Sequence, residues 1–151
     1  IGATAEATRV ISASTQAVLR AFRARSGRLS WEQTYTAADN VVGADMLAGY
    51  AFAEIVGERG SFLSDQVRCG VGVWGPHINY PAHRHEAEEI YVVLAGSARF
   101  QLGEKQVSVA SVDDVVFVPS NEVHSLRTTD EALVVLYFWQ GGALRQKSVF
   151  E

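Results

Sequence analysis

The stretch YPAHRHEAEEIY, residues 80–91, decides the fold because its spacing sets which side chains share one face of a strand. Residues two apart on an extended strand point to the same side, so His83 and His85 project together. Glu89 and Tyr91 are also an even number of residues away from His83 and His85. They lie on the same face if the corner between the two pairs preserves the alternation of the strand. The stretch therefore predicts a cluster of nitrogen and oxygen donors on one side of a β-structure.

Converging imidazoles and carboxylates of this kind form sites for divalent metal ions. Two imidazoles on one face pack poorly and are seldom placed together without a cation or a proton to share. The chain has one cysteine, Cys69, which excludes an internal disulfide and a thiolate zinc site. Since no soft ligand is available, the donors leave zinc, iron, manganese, nickel and cobalt open.

A second segment, residues 113–124 (DDVVFVPSNEVH), supplies the candidate for a third imidazole. A strand ends at Pro119, a turn follows, and His124 returns to the sheet. The remaining histidine, His77, has no partner at ligand spacing, so we expect it to be an ordinary core or surface residue.

Outward from these segments, the chain alternates between short strand-like runs and turn residues. Seven or more short strands with such spacing indicate a β-sandwich or barrel rather than a parallel α/β sheet. The predicted strands outside the two segments above are Ala51–Val56, Val67–Trp74, Ala98–Leu102, Gln106–Val109 and Leu133–Trp139, and those within them are Glu89–Leu94 and Val115–Val118.

The N-terminal part has a different composition, rich in Ala, Arg, Glu, Gln and Leu and free of Pro. Its apolar residues recur at helical spacing, which predicts a helix over Ala3–Arg25 with a break near Ser12–Thr15 and an end at Gly27. A second short helix is expected around Ala44–Leu47. We therefore expect a helical extension over residues 1–48 and a β-barrel over residues 49–151, together forming one structural unit.

Two motifs carry a resemblance to a known superfamily. The pattern H-x-H-x3-E-x6-G from His83 resembles the first cupin motif, and P-x-N-x2-H ending at His124 resembles the second. Asn121 and Asp113 stand where glycine is usual, but both lie in turns, and Asn tolerates the left-handed conformation. The resemblance implies an all-β fold, the cupin β-barrel or jelly roll, with an N-terminal α-helical extension. It also implies one divalent metal ion with four ligands: His83, His85, Glu89 and His124.

A narrower resemblance rests on the pattern Y-P-x-H-x-H-x3-E-I-Y and on the helical segment that leads into Trp31-Glu32. These features are similar to the cupin-type dimethylsulfoniopropionate (DMSP) lyases. The resemblance implies a carbon–sulfur lyase that cleaves DMSP to dimethyl sulfide and acrylate by base-catalysed β-elimination. It further implies that iron, zinc or manganese binds the substrate carboxylate, and that Tyr91 or Tyr80 is the base.

The chemistry fits these residue types. Tyrosine is ordinarily a poor base because its pKa is about 10, but a neighbouring metal cation favours the phenolate. Tyr91, two residues past Glu89, is best placed for this role, and Tyr80 is the alternative base or a hydrogen-bond partner of the carboxylate. The substrate's sulfonium group suits aromatic faces through cation–π attraction. The predicted substrate-binding residues are Tyr80, Trp74, Trp139 and Trp31.

Other functions on the same fold remain open from the sequence. The same four ligands suit an iron dioxygenase or a sugar or keto-acid isomerase, and a non-catalytic cupin that binds a small ligand is the third class. The tyrosine pair favours the lyase, because an oxygenase needs no such base. A cupin regulator usually carries a helix-turn-helix segment, which the sequence does not show.

Charge and hydropathy narrow the partners. Lys and Arg number 13 against 17 Asp and Glu, which argues against nucleic acid or an anionic membrane as a partner. No run of about 18 apolar residues is present, and the first residues lack the apolar core of a signal peptide. We therefore expect a cytoplasmic protein with a small-molecule substrate. A homodimer is one state that the resemblance allows, and we expect residues upstream of Ile1 because the chain does not begin with Met.

Overall fold

Two β-sheets share one hydrophobic core in the computed structural model, which describes residues 10–151. The helices are α1 (Ala13–Arg25) and α2 (Ala44–Gly49), with 3₁₀ turns at Ser26–Arg28 and Ala37–Asp39. The first six strands are β1 (Trp31–Glu32), β2 (Tyr50–Gly57), β3 (Phe62–Leu63), β4 (Val67–Trp74), β5 (Asn79–Arg84) and β6 (Glu88–Ala95). The other six are β7 (Ser97–Leu102), β8 (Ser108–Ser111), β9 (Val115–Val118), β10 (His124–Thr128), β11 (Leu133–Gln140) and β12 (Val149–Phe150).

The sheet topology is that of an antiparallel jelly roll. One sheet has seven strands in the order β1-β2-β4-β11-β6-β9, with β3 pairing in parallel with β2. The other has five strands in the order β12-β5-β10-β7-β8. Every other strand pair is antiparallel, as expected for strands joined by short turns. The predicted all-β fold with an N-terminal helix is confirmed.

Alternation along the strands places the core. In β6, Glu89, Tyr91 and Val93 are buried on the inner face. Ile90, which lies between Glu89 and Tyr91, is exposed on the other face. The core is completed by large side chains such as Trp74 and Phe100 that are almost fully buried. Full burial of an apolar side chain stabilises the fold by about 1.5–3 kcal/mol, so these residues fix the distance between the sheets.

Helix α1 is anchored at its first turn. Ser12 is the N-cap, and its Oγ accepts a hydrogen bond from the Thr15 backbone N–H at 3.2 Å. The Asp113 carboxylate accepts from the Ser12 backbone N–H and hydroxyl, each at 2.7 Å, and from the Thr15 hydroxyl. Helix α1 therefore begins at Ala13, within the predicted break at Ser12–Thr15, because the cap residue is not itself helical. The predicted part before Val10 lies outside the described residues.

The other elements follow the expectations with small shifts. The short helix around residues 44–47 is confirmed as α2, and β8 lies two residues later than its predicted position. The two-residue strands β1, β3 and β12 escape prediction because they are too short to show alternation. Strand β1 pairs with β2, although it lies before residue 48, where the helical extension was predicted to end. The division at residues 48/49 stays a prediction. Within residues 10–151, neither helix is long and apolar enough to cross a membrane.

Candidate metal centre

The four predicted metal ligands come from both sheets and meet inside the barrel. His83 lies in β5 and pairs in register with His124, the first residue of β10. His85 follows β5 at the corner, and Glu89 enters from β6 of the opposite sheet. All four are buried, with exposed fractions between 2% and 6%.

The donor atoms of these residues converge. The three histidines each offer a ring nitrogen within 4.8 Å of the others. Glu89 Oε2 lies 3.0 Å from His85 Nε2 and 3.7 Å from His124 Nε2. The structure thus brings together the ligand set that the sequence predicts, as three imidazoles facing one carboxylate.

The second nitrogen of each imidazole is bound to the backbone. A carbonyl oxygen only accepts hydrogen bonds, so each Nδ1 facing one carries a proton, and Nε2 is the nitrogen that can bind a metal ion. Such outer contacts orient histidine ligands in metal sites. The three Nδ1···O contacts are His83 to Pro81 (2.8 Å), His85 to Ala87 (2.9 Å) and His124 to Glu122 (2.9 Å).

This arrangement fits a divalent metal ion. His124 Nε2 is buried and has no hydrogen-bond partner among residues 10–151. His85 Nε2 and Glu89 Oε2 lie 3.0 Å apart, so a proton or a metal cation lies between these two atoms. Three imidazoles and one carboxylate form a donor set that suits zinc, iron and manganese alike.

The protonation states agree with metal binding. Burial, together with the neighbouring His124, lowers the pKa of His83 to about 3, so this imidazole is neutral at pH 7. Burial alone raises the pKa of Glu89, but the nearby imidazoles of His124 and His85 outweigh it and bring the pKa to about 2. Metal ligands must be neutral imidazoles and ionised carboxylates, and the site supplies both.

The two predicted catalytic tyrosines flank the centre. Tyr80 stacks on the His83 ring, with 4.0 Å between centroids, and its hydroxyl lies 3.4 Å from that of Tyr35. Tyr91 follows Glu89 on the inner face of β6, and both side chains are buried and line the same cavity. Burial raises the pKa of both phenols well above 10. Tyr35 raises the pKa of Tyr80 further, and the Glu89 charge raises that of Tyr91. Without a cation beside them, both are neutral phenols at pH 7.

A cavity of about 240 Å³ leads to this centre. His83 and Glu89 line it together with six aromatic side chains, and polar and charged residues form the rest of its wall. These aromatic residues are Tyr35, Phe52, Tyr80, Tyr91, Tyr137 and Trp139. The site therefore combines a cation-binding centre with an aromatic pocket large enough for a small organic molecule.

Comparison with known proteins assigns the family. The family model for dimethylsulfoniopropionate lyase matches residues 3–135 of the chain. The chain belongs to the DMSP lyase family. It is 35% identical over 125 residues to the DMSP lyase DddQ from Ruegeria pomeroyi, a match that covers 83% of this chain. The chain spans 61% of the length of that curated relative.

Solved structures agree with the family assignment. The crystal structure of DMSP lyase DddQ from Ruegeria pomeroyi DSS-3 matches with a TM-score of 0.81 and 32% identity. The match covers 96% of this chain and 72% of DddQ. Rru_A2000 from Rhodospirillum rubrum, a cupin-2 domain, matches with a TM-score of 0.63 and 18% identity over 82% of this chain and 76% of that one. This last likeness shows the fold alone.

Two turns of this DMSP lyase family member bear on the predicted motifs. Asp113 and Asn121, which stand where the cupin motifs usually have glycine, have φ values of 71° and 59°. Both are therefore left-handed, as the sequence predicts for residues replacing glycine in turns. The Asn121 backbone N–H donates to the His85 carbonyl at 2.8 Å, so this turn also braces a predicted ligand.

The three predicted substrate-binding tryptophans lie in different places. Trp139 lines the cavity and stacks on His85 at 4.2 Å between ring centroids. Trp74 is fully buried behind the wall, where its ring packs against Tyr80 and Tyr91. Trp31 lies at the far end of β1, and its indole N–H donates to a backbone carbonyl. The cavity wall of the described chain thus includes one of the three.

Sequence reasoning missed most of the cavity wall, including Phe52, Arg68 and Tyr137. A signal for Tyr137 was present, because it lies two residues before Trp139 in a predicted strand and shares its face. Arg68 and Phe52 precede buried positions in strands whose inner face is not apparent from composition. Which of their two faces lines the cavity depends on strand pairing.

Proposed function

We propose that this chain is a metal-dependent lyase that cleaves DMSP to dimethyl sulfide and acrylate. Family membership supports the reaction class, and the site supports its chemistry. The observation that carries the proposal is the position of Tyr91, which is buried on the same inner face of β6 as Glu89 and lines the same cavity as His83. A base for carbon acids and a cation-binding site are thus adjacent in one aromatic cavity.

His83, His85, Glu89 and His124 are the residues that we assign to the metal ion, for which iron, zinc and manganese are all suitable. When bound, the ion would supply positive charge that favours a neighbouring phenolate and polarises a substrate carboxylate. The chain's own contribution is to hold three imidazoles and an ionised carboxylate in a buried site, which keeps water away from the reaction.

Tyr91 is our candidate for the base, and Tyr80 is the alternative. Tyr91 shares the inner face of β6 with Glu89, whereas the Tyr80 hydroxyl lies near that of Tyr35. The positive charge at the centre therefore acts most directly on Tyr91. Tyr80, stacked on His83, is better placed to hold the substrate than to take its proton.

In the proposed step, the Tyr91 phenolate takes the proton from the carbon next to the substrate carboxylate. The C–H electron pair forms the new C=C bond, and the electron pair of the C–S bond leaves with sulfur. The zwitterionic substrate thus gives neutral dimethyl sulfide and the acrylate anion, while the proton stays on Tyr91 Oη. No oxidant or reductant is needed.

The aromatic wall offers a place for the sulfonium group. Trp139 already stacks on His85 and lies under the Arg68 guanidinium, 5.8 Å from the ring centroid. Lys147 lies at the same distance over the Tyr35 ring. We therefore assign the sulfonium to Phe52, whose ring lines the cavity, through cation–π attraction.

The test is release of dimethyl sulfide from DMSP by metal-stripped protein and by protein reloaded with iron, manganese, zinc, cobalt or nickel. We expect release that depends on the metal and is abolished in His124→Ala. In Tyr91→Phe, we expect kcat to fall by about 100- to 10,000-fold with the metal still bound, as for loss of a general base.

The matched control is Tyr50→Phe. Tyr50 is a buried tyrosine of the same aromatic cluster, but its hydroxyl bonds to the Tyr35 backbone outside the cavity wall. We expect this variant to keep its rate within a few fold. If a fully loaded site releases no dimethyl sulfide with any metal, the proposal is wrong, and oxygen-consuming or isomerising chemistry becomes the next hypothesis.

A further inference from the structure

The cavity contains a hydroxyl that the proposed mechanism does not use. Tyr137 is 5% exposed and lines the cavity, yet its hydroxyl has no hydrogen-bond partner among residues 10–151. A buried hydroxyl without a partner costs free energy, so such groups in native proteins usually serve a ligand or water. The position of Tyr137 shows which part of the site that ligand occupies.

Tyr137 lies directly beside the proposed base. In the pairing of β11 with β6, Tyr137 is the register partner of Tyr91, and both side chains point inward. On the other side, its partner in β4 is Gly70. A methyl group at Gly70 would come within 2.7 Å of the Tyr137 hydroxyl oxygen, so the glycine leaves room around that hydroxyl.

A cationic side chain lies on the same inner face. Arg68, two residues before Gly70, lines the same cavity and donates from Nε to Glu54 at 2.6 Å. This ion pair, with Glu54 only 8% exposed, holds the guanidinium in a fixed orientation over the Trp139 ring. The Trp139 indole N–H also has no partner within the described chain. Donors and a cation therefore gather at one wall.

We propose that Tyr137 and Arg68 form a carboxylate-binding subsite beside the metal centre, with the Trp139 N–H as a further donor. An oxygen acceptor that carries negative charge is the ligand that a hydroxyl, an indole N–H and a guanidinium have in common. The ligand class is a short aliphatic carboxylate small enough for the cavity. The inference rests on the proposed function only in taking this group to be the carboxylate of the substrate or product.

The test measures binding of propionate, which has the carboxylate and carbon chain of the substrate without its sulfonium. Calorimetry on zinc-loaded protein compares the wild type with Tyr137→Phe. We expect propionate affinity to fall by about 10- to 100-fold, the range for a hydrogen bond to a charged group, with zinc content unchanged. Tyr50→Phe is the matched control and is expected to bind propionate like the wild type.

Arg68 is tested together with its partner. Arg68→Gln alone leaves the buried Glu54 carboxylate unpaired and risks misfolding, so the variant is Glu54→Gln/Arg68→Gln, which keeps the shape of the pair. We expect its propionate affinity to fall at least about tenfold. Thermal unfolding and zinc content measured on the same samples report whether the fold is retained.

The outcomes separate this inference from the proposed function. Wild-type affinity in Tyr137→Phe, no propionate binding by the wild type, or an equal loss in Tyr50→Phe would each overturn the subsite. If dimethyl sulfide is released while Tyr137→Phe binds propionate normally, the lyase stands and the subsite is wrong. If propionate binding depends on Tyr137 but no dimethyl sulfide forms, the subsite stands and the lyase proposal is wrong.

Discussion

The inner and outer faces of the seven-stranded sheet are built from alternate residues of the same strands, yet they carry opposite kinds of side chain. One inner row, across β4, β11 and β6, consists of Arg68, Trp139 and Glu89. The adjacent outer row consists of Cys69, Phe138, Ile90 and Phe117. Glu89 is 3% exposed, whereas Phe138 and Phe117 are 39% and 50% exposed. Here the charged groups are inside and large apolar groups are outside.

This inversion shows what the alternation of a strand can and cannot decide. A period of two tells which residues share a face, but the usual preference of apolar residues for the core does not identify the inner face here. The inner charges are tolerated because each has a partner: Glu89 faces imidazoles, and Arg68 pairs with Glu54. Such exceptions to local rules are expected at functional sites.

The sharpest test of the comparison is a pair of neighbouring substitutions, Glu89→Ala and Ile90→Ala. Removal of the inner carboxylate deletes one metal ligand, so we expect metal affinity to fall by at least about 100-fold and dimethyl sulfide release to fall with it. Ile90→Ala should retain both. Metal content after dialysis and the rate of release measure the effect; a Glu89→Ala variant that keeps its metal would remove this residue from the ligand set.

The ligand set was accessible from the sequence because it depends on local spacing. His83 and His85 lie two apart on one strand, and their position relative to Glu89 depends on one short corner. His124, which follows the turn after Pro119, was the remaining candidate for a third imidazole ligand. The motif resemblance added what spacing alone left open, namely that these four residues act together.

The polar wall of the cavity was not accessible in the same way. Tyr137 lies beside Tyr91 only because β11 pairs with β6 in a register that the 45 intervening residues do not specify locally. The two-residue strand β12, which places Phe150 opposite His83, has no period to detect. Long-range register and very short strands are decided by packing, which a single sequence does not display.

A second comparison concerns the neighbours Gly70 and Cys69 on the two faces of β4. A side chain at Gly70 would overlap the Ala53 carbonyl oxygen and the Tyr137 ring, so we expect Gly70→Ala to lower the free energy of unfolding by about 2–3 kcal/mol. Cys69→Ala, on the half-buried outer face, should cost less than about 1 kcal/mol. Urea denaturation of both variants measures the difference, and equal losses would contradict the assignment of the crowded face.

A smaller effect is expected where α1 is attached next to the sheet. Asp113 holds the first turn of α1 through three hydrogen bonds, at a φ of 71° that glycine adopts more easily. Asp113→Gly relieves the backbone but deletes the contacts, so we expect a net loss of about 1 kcal/mol and faster hydrogen exchange at residues 12–16. Unchanged exchange there would show that the helix is held by other contacts.

The smallest effect is expected on the exposed outer row. Phe138 is 39% exposed, and Thr retains the strand preference of the position, so Phe138→Thr should change the free energy of unfolding by less than about 0.5 kcal/mol. The prediction assumes that this face meets water in solution. Denaturation at two protein concentrations, together with light scattering, checks that assumption. A loss above about 1 kcal/mol that grows with protein concentration would mean that a second copy covers Phe138, and the apolar outer row would then be an interface rather than a surface.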